Sequence, residues 1–204
     1  MTNLASKWLA TPDKGPRAFA IDLSGEVAAD GPAREIEFVL EPPIAFPEGT
    51  HGYEIRLPQE ALKSMLTWIR RAERVHGDRS ETGGVLFGQI DEFLKIVWID
   101  EVSGPPPDSV ASPQGFVCGT AGVSASNKEK VARSSGSVAF VGMWHTHPEG
   151  LPIASTTDLW AMRELLRDGG AYQGRSFLML IVGGTSARPV LSAGLYERAD
   201  YVAT

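Results

Sequence analysis

Residues Val138 to Trp144 read Val-Ala-Phe-Val-Gly-Met-Trp, and His145-Thr146-His147-Pro148 follows at once. A short unbroken apolar run of this kind is a buried strand, and its end delivers His145. The segments around it alternate in period. Tyr53 to Leu57 alternates like a strand, and Pro58 suits the first turn of a helix. From Gln59 to Val75 the apolar positions Leu62, Met65, Leu66, Ile69, Ala72 and Val75 recur at helical steps, predicting one buried stripe that stops before Gly77-Asp78.

Strands are expected at Gly84 to Gln89 and Phe93 to Val102, a loop at Pro105-Pro106-Pro107, and a short strand at Gly115 to Gly119. Ser124 to Ser134 reads as a polar, exposed helix. A second amphipathic helix runs from Thr156 to about Arg167, with Leu159, Met162, Leu165 and Leu166 on its inner face. Phe177 to Val182 and Val190 to Tyr196 complete the strands. Alternating strands and helices predict an α/β or α+β chain with a mixed central sheet flanked by helices.

Residues 1–50 have a different character and are read as an N-terminal extension to a main domain at 51–204. They hold Pro12, Pro16, Pro32, Pro42, Pro43 and Pro47, and two strand-like runs, Arg17 to Leu23 and Glu35 to Leu40. The extension is either a hairpin packed on the main domain or a disordered arm.

Bulk properties narrow the function. A net charge of −6 and a pI near 5.3 argue against nucleic-acid binding by phosphate neutralisation. Cys118 is the single cysteine, so no intrachain disulfide can form. The first residues lack the apolar core of a signal peptide, and no run approaches the ~20 apolar residues of a membrane helix. A soluble, cytoplasmic protein is the expectation.

The chemistry concentrates at Trp144-His145-Thr146-His147-Pro148 and Ser155-Thr156-Thr157-Asp158. Two histidines one residue apart at a strand's end project to the same side, and Pro148 keeps His147 extended. Asp158 stands in the first turn of the next helix, within reach of both through the connecting loop. Two imidazoles and one carboxylate make a three-ligand zinc site that leaves a fourth position for water, the catalytic rather than the structural type. Such a water is acidified toward a pKa of about 7 and still needs a proton acceptor. Glu81, opening the run Thr82-Gly83-Gly84-Val85-Leu86-Phe87-Gly88, is the candidate. Its two following glycines allow close backbone approach.

Glu81, His145-x-His147 and Ser155-x-x-Asp158, with the context Glu-Thr-Gly-Gly-Val-Leu-x-Gly, together resemble the JAMM signature of the MPN-plus (JAB) family over residues of roughly 52 to 198. The resemblance implies a cytidine-deaminase-like fold and zinc (Zn2+) held by His145, His147 and Asp158. It also implies Glu81 as the proton shuttle and Ser155 as a hydrogen-bond donor to the oxyanion. Family substrates are ubiquitin-like proteins joined through their C-termini to lysine or another amine, with the tail lying as an added strand. Stand-alone bacterial members accompany ubiquitin-activating-like and conjugating-like enzymes, including those of CBASS antiphage defence. Trimming a sulfur carrier is an equally reasonable niche.

Blander readings stand beside these. The histidines could be satisfied buried side chains, and Ser155-x-x-Asp158 is also a capping box that competes for Asp158. Trp144 and Trp160 are expected as core walls, Cys118 as a small buried residue, and Glu149 as an exposed one. The competing functions are a non-catalytic MPN scaffold and a cysteine hydrolase using Cys118.

Overall fold

In this computed structural model the described residues are 20–21, 38–39, 52–167, 176–185 and 188–197. Most of residues 1–50 lie outside them. Within the two strand-like runs expected there, β1 (Ala20–Ile21) pairs antiparallel with β2 (Phe38–Val39).

The remaining strands are β3 (Glu54–Arg56), β4 (Gly83–Asp91), β5 (Ile96–Val102), β6 (Val110–Ser112), β7 (Gly115–Val117), β8 (Ala139–Pro148), β9 (Phe177–Thr185) and β10 (Arg188–Tyr196). The helices are α1 (Gln59–His76), α2 (Val123–Arg133) and α3 (Thr156–Leu166). Six strands form one sheet in the order β10-β9-β8-β4-β5-β3, while β6 and β7 pair separately as a hairpin. The sheet is mixed: β8 runs parallel to β9, β3 runs parallel to β5, and the other pairs are antiparallel. The architecture is the expected mixed α/β one.

Each face of the sheet has its own apolar layer. On one face α1 buries Ala61, Met65 and Ile69 against Leu86, Val97, Trp144 and Leu180. On the other, α3 buries Met162 and Leu166 against Phe177, Met179 and Ile181. Helix α2 buries none of its residues, as its polar sequence predicts, and meets the sheet through Asn127, whose Oδ1 accepts from the Phe140 N–H at 2.7 Å. The α1 stripe ends sooner than expected. Val75 is 67% exposed, because the helix overhangs the sheet and closes at Gly77 with φ 89°.

The strand expected from Phe93 begins instead at Ile96. Asp91 Oδ1 accepts from the N–H groups of Phe93 and Leu94 at 3.0 and 2.8 Å, which makes a turn of residues 92–95. Phe93 is left 93% exposed at its tip. Strand β8 runs further than expected, through His145 and His147 to Pro148, because β9 pairs with it along that whole stretch. Among the described residues no helix is long and apolar enough to cross a membrane.

Close approach of β8 to β9 depends on Gly142, opposite Leu178 in the parallel ladder. A methyl group there would run into the Leu178 carbonyl, which the sheet cannot move aside. Gly142→Ala is therefore expected to destabilise the fold by about 2–3 kcal/mol, read as a lower urea midpoint with an unchanged slope.

Candidate metal centre

Strand β8 is gripped by backbone on both edges, with Gly83 opposite His145, His145 opposite Ile181, and His147 opposite Gly183. Side chains alternate across a strand, so His145 and His147 leave the sheet toward α3 while Thr146 points toward α1. Thr146 locks the register with β4. Its Oγ1 accepts from the Thr82 N–H at 2.9 Å, and its own N–H donates to the Thr82 carbonyl at 2.8 Å.

After Pro148, Glu149 takes a positive φ of 60° and the chain turns toward α3. Ser155 caps that helix, its Oγ accepting from the Asp158 N–H at 3.2 Å. Asp158 answers by accepting at Oδ2 from the Ser155 N–H and hydroxyl, at 2.7 and 2.6 Å. The carboxylate is thereby fixed at the helix start, with Oδ1 facing His145 and Oδ2 facing His147.

Three ligand-type atoms converge. His145 Nε2 and His147 Nε2 are 3.1 Å apart, His145 Nε2 lies 3.3 Å from Asp158 Oδ1, and His147 Nε2 lies 3.4 Å from Asp158 Oδ2. A tetrahedral zinc with ligands at about 2.0–2.1 Å needs edges of about 3.3–3.4 Å, and one ligand atom from each residue lies within 4.8 Å of the others, so the donor set suits such an ion. The electrostatics fit as well. His147 Nδ1 faces the Leu151 carbonyl at 3.2 Å, a contact that places the ring proton there and turns the Nε2 lone pair inward. Lone pairs facing each other at this range repel, and a cation between them reverses the sign. His145 Nδ1 is buried and has no hydrogen-bond partner among the described residues.

The titrating groups respond to one another. Burial would raise Asp158, but the two imidazoles beside it and the Ser155 hydroxyl hold it well below the usual carboxylate range. His147 is pulled down by burial and up more strongly by Asp158 and Glu81, leaving it above its ordinary value. Glu81 moves up, because burial outweighs the attraction of the two imidazoles. It is close enough to feel their charge yet stands outside the group whose atoms meet within 4.8 Å. Its own N–H donates to the Ser112 carbonyl at 2.9 Å, the Phe116 backbone N–H faces its carboxylate, and the Phe116 ring covers Gly83. This support by the β6–β7 hairpin was not anticipated. Its signal was present, in two short runs on either side of Pro113-Gln114.

The model for prokaryotic homologs of the JAB domain matches residues 58–193. The chain belongs to this family. Two relatives are each called a CD-NTase/cGAS isopeptidase. One, from Enterobacter hormaechei, is 34% identical over 149 residues, covering 72% of this chain and 78% of its own. The other, from Escherichia coli, is 31% identical over 127 residues, covering 60% and 74%. A Desulfitobacterium hafniense protein of known solution structure aligns with a TM-score of 0.46 and 22% identity, over 72% of this chain and 86% of that one, a likeness too slight to bear on function.

Within this JAB domain His145, His147 and Asp158 come together, Ser155 bonds to Asp158, Glu81 lies near enough to feel the imidazoles, and all five lie inside the matched span. The competition over Asp158 resolves as sharing, since it is at once cap and neighbour of both imidazoles. Trp144 is a core wall, fully buried with its indole N–H donating to the Ser103 carbonyl at 2.9 Å. Trp160 is not one: it sits on the outer side of α3 and is 64% exposed, because Leu159 and Met162 take the inner face. Cys118 is half-buried, and burial together with Asp108 pushes its thiol up to about 11, which leaves no thiolate for nucleophilic work near neutral pH. Glu149 is exposed, as expected.

Thr146→Val keeps the shape of the side chain but strips the Thr82 N–H of its partner in a buried position. A loss of about 1–3 kcal/mol is expected, measurable by equilibrium unfolding of chelator-treated protein.

Proposed function

We propose that this chain is a zinc-dependent isopeptidase that cleaves after the C-terminus of a ubiquitin-like protein, by deconjugation or by precursor processing. The observation that carries the reading is the convergence of ligand atoms from His145, His147 and Asp158 within 4.8 Å of one another, with Glu81 near enough to feel the imidazoles. The names of the relatives support it and point to a CD-NTase-type enzyme as the modified partner; an antiphage system is the setting we infer for it. Ubiquitin-activating-like and conjugating-like enzymes would then act beside it in the cytoplasm. Residues 51–204 would form the catalytic domain and 1–50 an extension to it.

His145, His147 and Asp158 would hold the zinc, which when bound would supply Lewis acidity for the scissile carbonyl and for a water. Glu81 takes the proton from the attacking water and returns it to the leaving lysine nitrogen. Its part-buried place beside the imidazoles suits both halves of that task. Ser155 is exposed beside the site, and its hydroxyl turns from Asp158 to donate to the carbonyl oxygen as negative charge develops there. The convergence of His145, His147 and Asp158 supports the catalytic reading over a non-catalytic scaffold.

Zinc at about a hundredfold excess over its Kd should stabilise chelator-stripped protein by about 2.7 kcal/mol. His147→Ala should abolish that gain, as followed by thermal unfolding and metal analysis. Glu81→Gln should keep its zinc while turnover of a ubiquitin-like fusion falls about a hundredfold or more. Full turnover in that variant would refute the role of Glu81. A zinc-loaded wild type that cleaves no such fusion would favour the scaffold.

A further inference from the structure

Behind the metal-type cluster, on the α1 face of the sheet, lies a separate cavity of about 150 Å³. The alternation that sends His145 and His147 one way sends Thr146 and Pro148 the other, into its lining. Ile69 on α1, Val182 on β9 and Pro189 on β10 supply apolar walls, and Glu73, Asp78 and Glu149 supply carboxylates. No cation among the described residues pairs with any of the three.

The floor holds an unanswered polar group. Thr82 keeps only 3% of its surface, and its N–H and carbonyl are both engaged with Thr146. Its hydroxyl has no hydrogen-bond partner among the described residues, and Thr82 lines the cavity. Open only to the cavity side of an otherwise sealed residue, that hydroxyl offers an occupant one hydrogen-bonding group. The carboxylates do not converge as a metal site would. Among the described residues the one group of ligand atoms meeting within 4.8 Å is His145, His147 and Asp158. Apolar walls, spread negative charge and a hydroxyl floor together suit an elongated cation rather than a bare ion.

We propose that this cavity binds the ammonium end of an alkylamine chain, the chemistry shared by a free diamine and a lysine side chain of a protein partner. The methylene stem packs on Ile69, Val182 and Pro189. The ammonium donates to Thr82 Oγ1 and is neutralised by Glu73 and Asp78. The site is independent of the proposed hydrolysis, which takes place on the opposite face.

The test is amide NMR of the full zinc-loaded chain, titrated separately with 1,5-diaminopentane, a capped Gly-Lys-Gly peptide, its Nε-acetyl form and n-butanol. Saturable shifts at Thr82, Thr146, Gly183 and Gly184 with either amine, absent with acetyl-lysine peptide and butanol, are expected. Diamine alone would mark a free amine as the ligand, and binding of the peptide would mark a partner's lysine. Glu73→Gln with Asp78→Asn should weaken binding at least about tenfold. Thr82→Val should weaken it too without lowering the unfolding midpoint, since that hydroxyl holds nothing in the fold. No saturable shift with either amine, equal shifts with butanol, or unchanged affinity in the double variant would overturn the proposal.

Discussion

The site depends on the backbone grip along both edges of β8. Gly83 and Thr82 hold it from one side, and Ile181 and Gly183 hold it from the other, so the strand cannot twist at the point where its two histidines leave the sheet. Rigid sheet backbone fixes side-chain direction far better than a loop does. The close spacing of the two Nε2 atoms follows from this, and Asp158 then has to be brought to them. The capping box does so, because the bonds that start α3 also orient the carboxylate.

Helix start and ion-facing group are thus one construction. Ser155 and Asp158 satisfy backbone donors that any helix leaves open at its N-terminus, and the same geometry presents an oxygen to each imidazole. The second support, under Glu81, comes from outside the main sheet. Ser112 and Phe116 on the β6–β7 hairpin set the height of that side chain above the histidines.

Much of this was legible in the residues alone. The strand delivering His145, the stripe of Met65 and Ile69, and the inner face of α3 follow from periodicity, and the meeting of His145, His147 and Asp158 from type and spacing. What escaped was set by partners distant in sequence. Nothing local in His-Thr-His-Pro says that it stays in the sheet; β9 decides that. Val110–Ser112 is too short and too mixed to read as a strand until its hairpin mate is considered. The late start of β5 turned on one Asp91 side chain outcompeting strand backbone. Trp160 misled because its size suggested burial, while the helical angle that places Asp158 inward places Trp160 outward.

The parallel pairing of β8 with β9, bridged by α3, puts every ion-facing group inside one βαβ crossover, from His145 to Asp158. Glu81 stands just before β4, which joins only when Thr82 finds Thr146, a contact 64 residues apart in sequence. Loop closure over that span is entropically dearer than closure of the crossover. During folding, therefore, the means of capturing a cation can form from one contiguous stretch before the group that moves protons arrives. The two capacities are separable in time because they are separable along the chain.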